Sequence, residues 1–193
     1  MSRSRRPDWA TLPNLVTLAR FVLLVPVCLL LLDGPDFLAV VLLLVWASTD
    51  WVDGMLARAL DQSSRTGAII DPIADRIGLA AIVLSLAVAG LLPWVALVLI
   101  VVVDVAMVVL ATGAALGGRI AVSWLGKIRT FVLMASVFLL VAAAAWWPGL
   151  IPAAQALIWC GVVLHMVSGI DYIVRARRAP AAAPVGEAPP SRR

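Results

Sequence analysis

Six long apolar runs, separated by short helix-breaking segments, constrain the fold of this chain more than any other feature. The runs lie near residues 13–33, 36–59, 67–90, 93–116, 121–146 and 150–175. Each run exceeds the length of about 20 residues that an α-helix needs to cross a bilayer. Because 63% of the 193 residues are hydrophobic and only 13% are charged, the chain has too few polar side chains to cover a soluble domain. The sequence therefore predicts an all-α integral membrane protein with six transmembrane helices, preceded by a short N-terminal interfacial segment.

The charges between and beyond the runs predict an orientation. Lys and Arg outside the runs concentrate at both termini and around the second and fourth loops, whereas the other three loops contain none. By the positive-inside rule, both termini and the loops near residues 60 and 118 face the cytoplasm of a multi-pass protein in the cell (inner) membrane. The net charge of +4 then reflects contact with membrane lipids, and no nucleic acid partner is expected. We expect a membrane domain over residues 1–178 and a disordered tail, rich in Ala and Pro, over 179–193.

A charged segment, residues 50–76, joins the second and third runs. It contains five acidic and three basic residues at a depth where charged side chains are costly and usually functional. Asp50 and Asp53 are three residues apart and Asp71 and Asp75 four apart, so each pair occupies one face of its helix. An antiparallel return of the two helices would gather all four carboxylates. Ion pairing within the bundle is the alternative, but it would leave two acids in excess.

Four neighbouring carboxylates would repel one another unless divalent cations neutralise them. With neither histidine nor thiol in the segment, the ligand set favours a hard cation, and we predict two ions of Mg²⁺ or Mn²⁺. Mg²⁺ held by a few carboxylates commonly binds substrate phosphates as well. Arg58 lies a little over two turns after Asp50 and carries a guanidinium suited to phosphate oxygens. The segment therefore predicts a phosphorylated or pyrophosphorylated substrate.

The complete pattern resembles the signature of the CDP-alcohol phosphatidyltransferases. It reads Asp50-x-x-Asp53-Gly54-x-x-Ala57-Arg58, eight residues, then Gly67-x-x-x-Asp71-x-x-x-Asp75, and all eight fixed positions are filled. Pro13-Asn14 with Thr17 and Arg20 resembles the first-helix motif of the family, and residues 126–130, GKIRT, resemble its fifth-helix motif. The resemblance implies six helices, usually a homodimer, and a polar cavity open to the cytoplasmic leaflet.

The resemblance also implies roles for particular residues. Asp50, Asp53 and Asp71 would bind the metal ions, and Asp75 would bind metal and act as the general base. The CDP-binding residues would be Gly54, Ala57, Arg58, Ser64 and Gly67. The implied reaction moves the phosphatidyl group of CDP-diacylglycerol to an alcohol acceptor and releases CMP.

The acceptor stays open between two alcohols. We favour glycerol 3-phosphate, the acceptor of a phosphatidylglycerophosphate synthase, for whose phosphate Lys127, Arg129 and Arg119 would supply positive charge. The alternative is phosphatidylglycerol, the acceptor of a cardiolipin synthase. Two departures from the pattern keep that alternative open: Arg76 follows the last aspartate where many phosphatidylglycerophosphate synthases have Lys, and Asp104 stands without the Arg-Glu pair often found in the fourth helix.

A divalent-cation transporter is the alternative from another class, because intramembrane carboxylates also line cation pathways. Three isolated polar residues in the runs have open roles as well. Arg20 could reach the donor headgroup or extend to the membrane surface, and Asp104 could pair with an arginine or line the acceptor cavity. We expect His165 to be a hydrogen-bonded polar residue between helices rather than a catalytic group.

Overall fold

The computed structural model describes residues 12–60, 65–115 and 124–178, which form helices joined by short turns. The helices are α1 (Leu12–Asp33), α2 (Phe37–Leu60), α3 (Arg65–Val88), α4 (Trp94–Ala115), α5 (Trp124–Trp146) and α6 (Ile151–Arg178), with a short 3-10 helix at Pro148–Leu150. Each predicted apolar run corresponds to one of these helices, so the all-α prediction is confirmed. The expected interfacial segment before residue 12 and the expected tail at 179–193 lie outside the described residues.

Two turns begin and end helices where the sequence places its breakers. Gly34 follows α1 with a φ of 108°, a left-handed conformation that residues with a Cβ rarely adopt. Asp36 then caps α2, because its Oδ1 accepts a hydrogen bond from the Ala39 backbone N–H at 2.8 Å. Gly90, with a φ of 76°, ends α3 in the same left-handed region. These short turns return the chain directly into the next helix.

The helices pack around a continuous apolar core. α1 contacts α2 and α3, α6 contacts α4 and α5, and the further contacts α2 with α5 and α3 with α4 close the bundle. Every helix contributes fully buried side chains to this core, among them Leu31, Leu43, Leu86, Ile100, Leu140 and Ile158. The core fixes the helices that carry the polar residues described below.

The outer surface of the bundle is also apolar. On α4 the exposed valines follow each other at steps of three and four residues and form one stripe: Val95, Val98, Val102, Val105 and Val109. A contiguous exposed patch of this kind is rare on soluble monomers and typical of a surface that meets lipid or protein. Two segments, Ile128–Trp146 and Pro148–Asp171, are long and apolar enough to cross a bilayer. The chain is thus a membrane protein, and its six-span topology remains a prediction.

Candidate active site

The charged motif occupies the second half of α2 and the first half of α3. Asp50 and Asp53 belong to α2, and Asp71 and Asp75 belong to α3. Asp75 is the one of these four whose side chain the structure describes, so the metal-ligand roles of the other three stay predictions. The side chains of Gly54, Ala57, Arg58, Gly67 and Lys127 likewise lie outside the described residues, as do Ser64 and Arg119 altogether.

Arg20 joins the two helices of the motif. Its side chain is 3% exposed, and its Nε donates a hydrogen bond to Thr49 Oγ1 at 3.2 Å. Its Nη1 forms an ion pair with Asp75 Oδ1. Thr49 directly precedes Asp50, so one guanidinium from α1 contacts both α2 and α3 next to the predicted metal ligands. The alternative in which Arg20 extends to the membrane surface is therefore wrong.

The Asp75 side chain is held by an ion pair and is partly exposed. Its side chain is 44% exposed although its partner Arg20 is buried. A carboxylate that binds a guanidinium through one oxygen still has acceptor sites for a cation or a hydroxyl proton. Within the described residues, no group of three or more His, Cys, Asp or Glu side chains lies close enough to hold a metal ion. Asp75 is therefore the described residue of the predicted metal site, and its carboxylate oxygens suit a hard cation.

Beside these residues, Trp46 of α2 packs against Gly78 of α3. A Cβ built on Gly78 of α3 would collide with the indole ring of Trp46, which is 3% exposed. The Trp46 carbonyl also accepts a hydrogen bond from Thr49 Oγ1 at 2.6 Å. Gly78 therefore makes room for the Trp46 ring between α2 and α3, one turn after Asp75.

A second group of polar side chains is buried between α3, α4 and α6. Asp104 of α4 is 8% exposed, and its Oδ1 lies 3.5 Å from Arg76 Nε and 3.5 Å from His165 Nε2. His165 is 2% exposed, and its Nε2 lies 3.2 Å from the Ile100 carbonyl oxygen. Arg76 and Asp104, the two departures from the family pattern, are thus in contact. Of the two alternatives for Asp104, the structure bears out pairing with an arginine.

Arg129 is a second buried arginine, after Arg20. Its side chain is 8% exposed, and its Nη1 lies 2.7 Å from Met107 Sδ. The buried Nε of Arg129 has no hydrogen-bond partner within the described part of the chain. Its charge interacts with those of Asp104 and Arg76. Since a thioether is a weak acceptor, Arg129 retains donor capacity suited to an anion.

For these polar residues, the sequence predicted the positions better than the partners. The sequence identified Arg20, Asp104 and His165 as isolated polar residues in apolar runs and Arg129 as a cation for the acceptor. It did not predict the Arg20–Asp75 pair or the contacts of Asp104 with Arg76 and His165. Isolated polar residues in transmembrane runs signal internal partners. The identity of the partner depends on helix packing, which the runs alone do not specify.

Comparisons with known proteins agree with the motif. The sequence profile of the CDP-alcohol phosphatidyltransferase family matches residues 10–167. The chain is 35% identical over 176 residues to the probable phosphatidylglycerophosphate synthase of Mycobacterium tuberculosis strain H37Rv, an alignment of 88% of this chain and 83% of that protein. It is also 35% identical over 176 residues to the CDP-diacylglycerol–glycerol-3-phosphate 3-phosphatidyltransferase of Escherichia coli K12, covering 86% of this chain and 94% of that protein.

These similarities decide between the two classes of function that the intramembrane carboxylates left open. The profile covers the motif helices and four-fifths of the chain, and the relatives are transferases aligned over most of their own length. The prediction of an enzyme is confirmed over that of a cation transporter. This chain is a transferase and belongs to the CDP-alcohol phosphatidyltransferase family.

Proposed function

We propose that this enzyme is a phosphatidylglycerophosphate synthase, which transfers the phosphatidyl group of CDP-diacylglycerol to glycerol 3-phosphate and releases CMP. The observation that carries the proposal is the complete eight-position motif in a chain whose relatives carry that activity in their names. The names of both relatives favour glycerol 3-phosphate over phosphatidylglycerol as the acceptor. The enzyme thereby serves phospholipid biosynthesis.

Divalent cations are part of this proposal. Members of the family generally depend on them, and Asp50, Asp53, Asp71 and Asp75 are the residues that would hold two ions of Mg²⁺ or Mn²⁺. When bound, the ions would neutralise the pyrophosphate and stabilise the leaving CMP. The carboxylate of Asp75 fits such a site, because it is 44% exposed and its oxygens are ligands that a hard cation prefers.

Asp75 acts as the general base. Its carboxylate accepts the proton of the acceptor's primary hydroxyl while that oxygen forms a bond to the β-phosphorus of CDP-diacylglycerol. The bond between the β-phosphorus and the bridging oxygen breaks, and CMP departs with the electron pair. Arg20, itself bonded to Thr49, holds Asp75 in position for this step. Gly54, Ala57, Arg58, Ser64 and Gly67 bind the CDP group.

The acceptor binds next to the buried arginines. The buried Nε of Arg129 has no hydrogen-bond partner within the described residues, and Lys127 and Arg119 add positive charge nearby in the sequence. A phosphate monoester carries more negative charge than the phosphodiester of phosphatidylglycerol. Buried cations therefore favour glycerol 3-phosphate, since charge-assisted hydrogen bonds strengthen in a low-dielectric site.

The proposal places the whole site at the cytoplasmic leaflet. Residues 1–178 form one membrane domain with six spans, with both termini in the cytoplasm and residues 179–193 as a tail. The Lys and Arg distribution supports this orientation. Two copies form a homodimer, and the exposed valine stripe of α4 supplies one apolar surface for contact with lipid or a second copy.

Transfer from radiolabelled CDP-diacylglycerol tests the function. The purified protein in mixed micelles receives either glycerol 3-phosphate or phosphatidylglycerol, and products are separated by thin-layer chromatography. We expect phosphatidylglycerol phosphate and CMP with glycerol 3-phosphate, loss of both on chelation, and recovery with Mg²⁺ or Mn²⁺. Cardiolipin formed only with phosphatidylglycerol would assign the enzyme to the alternative reaction. Release of CMP that is indifferent to chelation would contradict the metal site.

A further inference from the structure

Four helices contribute one polar residue each to the buried group around Asp104. Arg76 comes from α3, Asp104 from α4, Arg129 from α5 and His165 from α6. Asp104 contacts Arg76 and His165 directly, and its charge also interacts with that of Arg129. Asp104 and His165 have no part in the reaction as proposed above, yet both are buried where polar groups are costly.

The surroundings of His165 fix which ring nitrogen carries hydrogen. Its Nε2 lies 3.2 Å from the Ile100 carbonyl oxygen and 3.5 Å from Asp104 Oδ1, and both of these atoms are acceptors. Nε2 is therefore protonated and directed toward the Ile100–Asp104 turn of α4. The buried Nδ1 has no hydrogen-bond partner within the described residues. His165 thus contacts the same carboxylate oxygen as Arg76, from a different helix.

Asp104 holds the two arginines in one buried region. Two guanidinium groups repel each other, and the carboxylate of Asp104 attracts both. The described hydrogen-bond partner of Arg129 is Met107 Sδ, a weak acceptor, so the attraction between Asp104 and Arg129 acts through their charges. His165 keeps Asp104 from turning away, because it contacts both the carboxylate and the backbone one turn before it. The contacts run from His165 through Asp104 to Arg76, and the charge of Asp104 also acts on Arg129.

We propose that Asp104 and His165 are positioning residues for the acceptor, and that they hold Arg76 and Arg129 as one site for its phosphate group. The inference rests on the proposed function, since it concerns how glycerol 3-phosphate is bound. Neither Asp104 nor His165 contacts the reacting atoms. They orient the two guanidinium groups, so their loss should weaken the binding of glycerol 3-phosphate and leave the binding of CDP-diacylglycerol unchanged.

Steady-state kinetics on the full-length enzyme, with each substrate varied separately, test this role. In His165→Phe the ring shape is kept and the Nε2–H donor is lost. We expect the KM for glycerol 3-phosphate to rise about tenfold, because the Nε2–H that contacts the Ile100 carbonyl and the Asp104 carboxylate is lost, while the KM for CDP-diacylglycerol is unchanged. His165→Gln places an amide N–H near the position of Nε2 and should restore most of the acceptor affinity.

Gln155→Leu is the matched control. Gln155 lies on the same helix, and its Nε2 donates to the Leu91 carbonyl oxygen at 2.8 Å, so this variant also removes a long-range hydrogen bond of α6, in this case to the turn between α3 and α4. We expect both KM values to stay at the wild-type level. Asp104→Asn provides a second test if His165→Phe gives too little folded protein, and it should raise the KM for glycerol 3-phosphate alone.

The outcomes separate this inference from the proposed function. A wild-type enzyme that makes no product from glycerol 3-phosphate overturns both. An active wild type whose His165→Phe and Asp104→Asn variants change the two KM values equally, or change neither, overturns the positioning role alone. The same holds if Gln155→Leu raises the acceptor KM as much as His165→Phe does. An acceptor-specific rise that His165→Gln reverses supports the role.

Discussion

The two halves of the helix bundle differ in how their buried positions are filled. The capped half comprises the helix segments next to the turns at residues 34–36, 89–93 and 147–150. Its interior is apolar, and a long-range side-chain hydrogen bond runs there from Gln155 of α6 to the Leu91 carbonyl in the turn between α3 and α4. The polar half begins near the middle of the helices with Arg20, Thr49 and Asp75 and contains the arginine contacts.

This difference separates stability from chemistry along the same helices. In the capped half, tight turns determine where each helix starts and apolar packing determines its tilt. The polar half adds charges whose partners lie on other helices, and such groups are retained at membrane depth mainly when function needs them. Changes in the polar half should therefore act on catalysis, and changes in the capped half should act on stability.

The largest effect is expected at the general base. Asp75→Asn keeps the size of the side chain and removes its ability to accept a proton, so CMP release should fall by about 10²- to 10⁴-fold. The measurement is release of radiolabelled CMP with saturating glycerol 3-phosphate, normalised to folded protein from gel filtration. Unchanged release in this variant would remove Asp75 from the mechanism.

Arg20 offers the next test of the polar half. Arg20→Met removes the ion pair with Asp75 and the hydrogen bond to Thr49, and bonds to charged groups contribute about 1.5–3 kcal/mol. We expect kcat to fall roughly tenfold to hundredfold. Arg20→Lys keeps the charge but replaces the planar fork with a single ammonium, so it should recover part of kcat. Equal losses in both variants would point to a structural role for Arg20 instead.

Gly78 lies at the border of the two halves, one turn after Asp75 and in contact with the buried Trp46 ring. In Gly78→Ala the new methyl group would collide with Trp46, and overpacking of this kind costs about 1–3 kcal/mol. We expect a lower unfolding temperature together with lower activity, because the spacing of α2 and α3 changes next to Asp75. Gly149→Ala is the matched control, since a Cβ there meets no atom within 4 Å. If Gly78→Ala left both quantities intact, the close approach would have no role in the site.

The sequence predicts the capped half better than the polar half. The six apolar runs in the sequence predict the six described helices, because the length of a run sets the length of a helix. Left-handed glycines such as Gly34 and Gly90 mark the turns between helices, and both signals depend only on nearby residues. The motif likewise identifies Asp75 and its helix from spacing alone. These features need only residues that are close in the chain.

The partners of the buried charges required the structure. Arg20 is 55 residues from Asp75, and His165 is 61 residues from Asp104 in the numbering. Charge counting shows that Asp104 needs a cation, but several arginines satisfy that need equally in sequence. Which of them it contacts depends on how α3, α4 and α6 pack, for example through the contact of Gly169 on α6 with Val103 on α4.

The smallest effect is expected in the capped half, and it tests the division from the other side. Asp36→Ala removes the N-cap of α2, and loss of such a cap costs about 1 kcal/mol. Asp36→Asn should retain the cap, since asparagine is as good an N-cap as aspartate. We expect thermal unfolding of Asp36→Ala in micelles to shift downward while kcat at a permissive temperature equals that of both the wild type and Asp36→Asn. A fall in kcat without a shift in unfolding would show that the turn at residues 34–36 is coupled to the reaction, and the separation of the two halves would then be wrong.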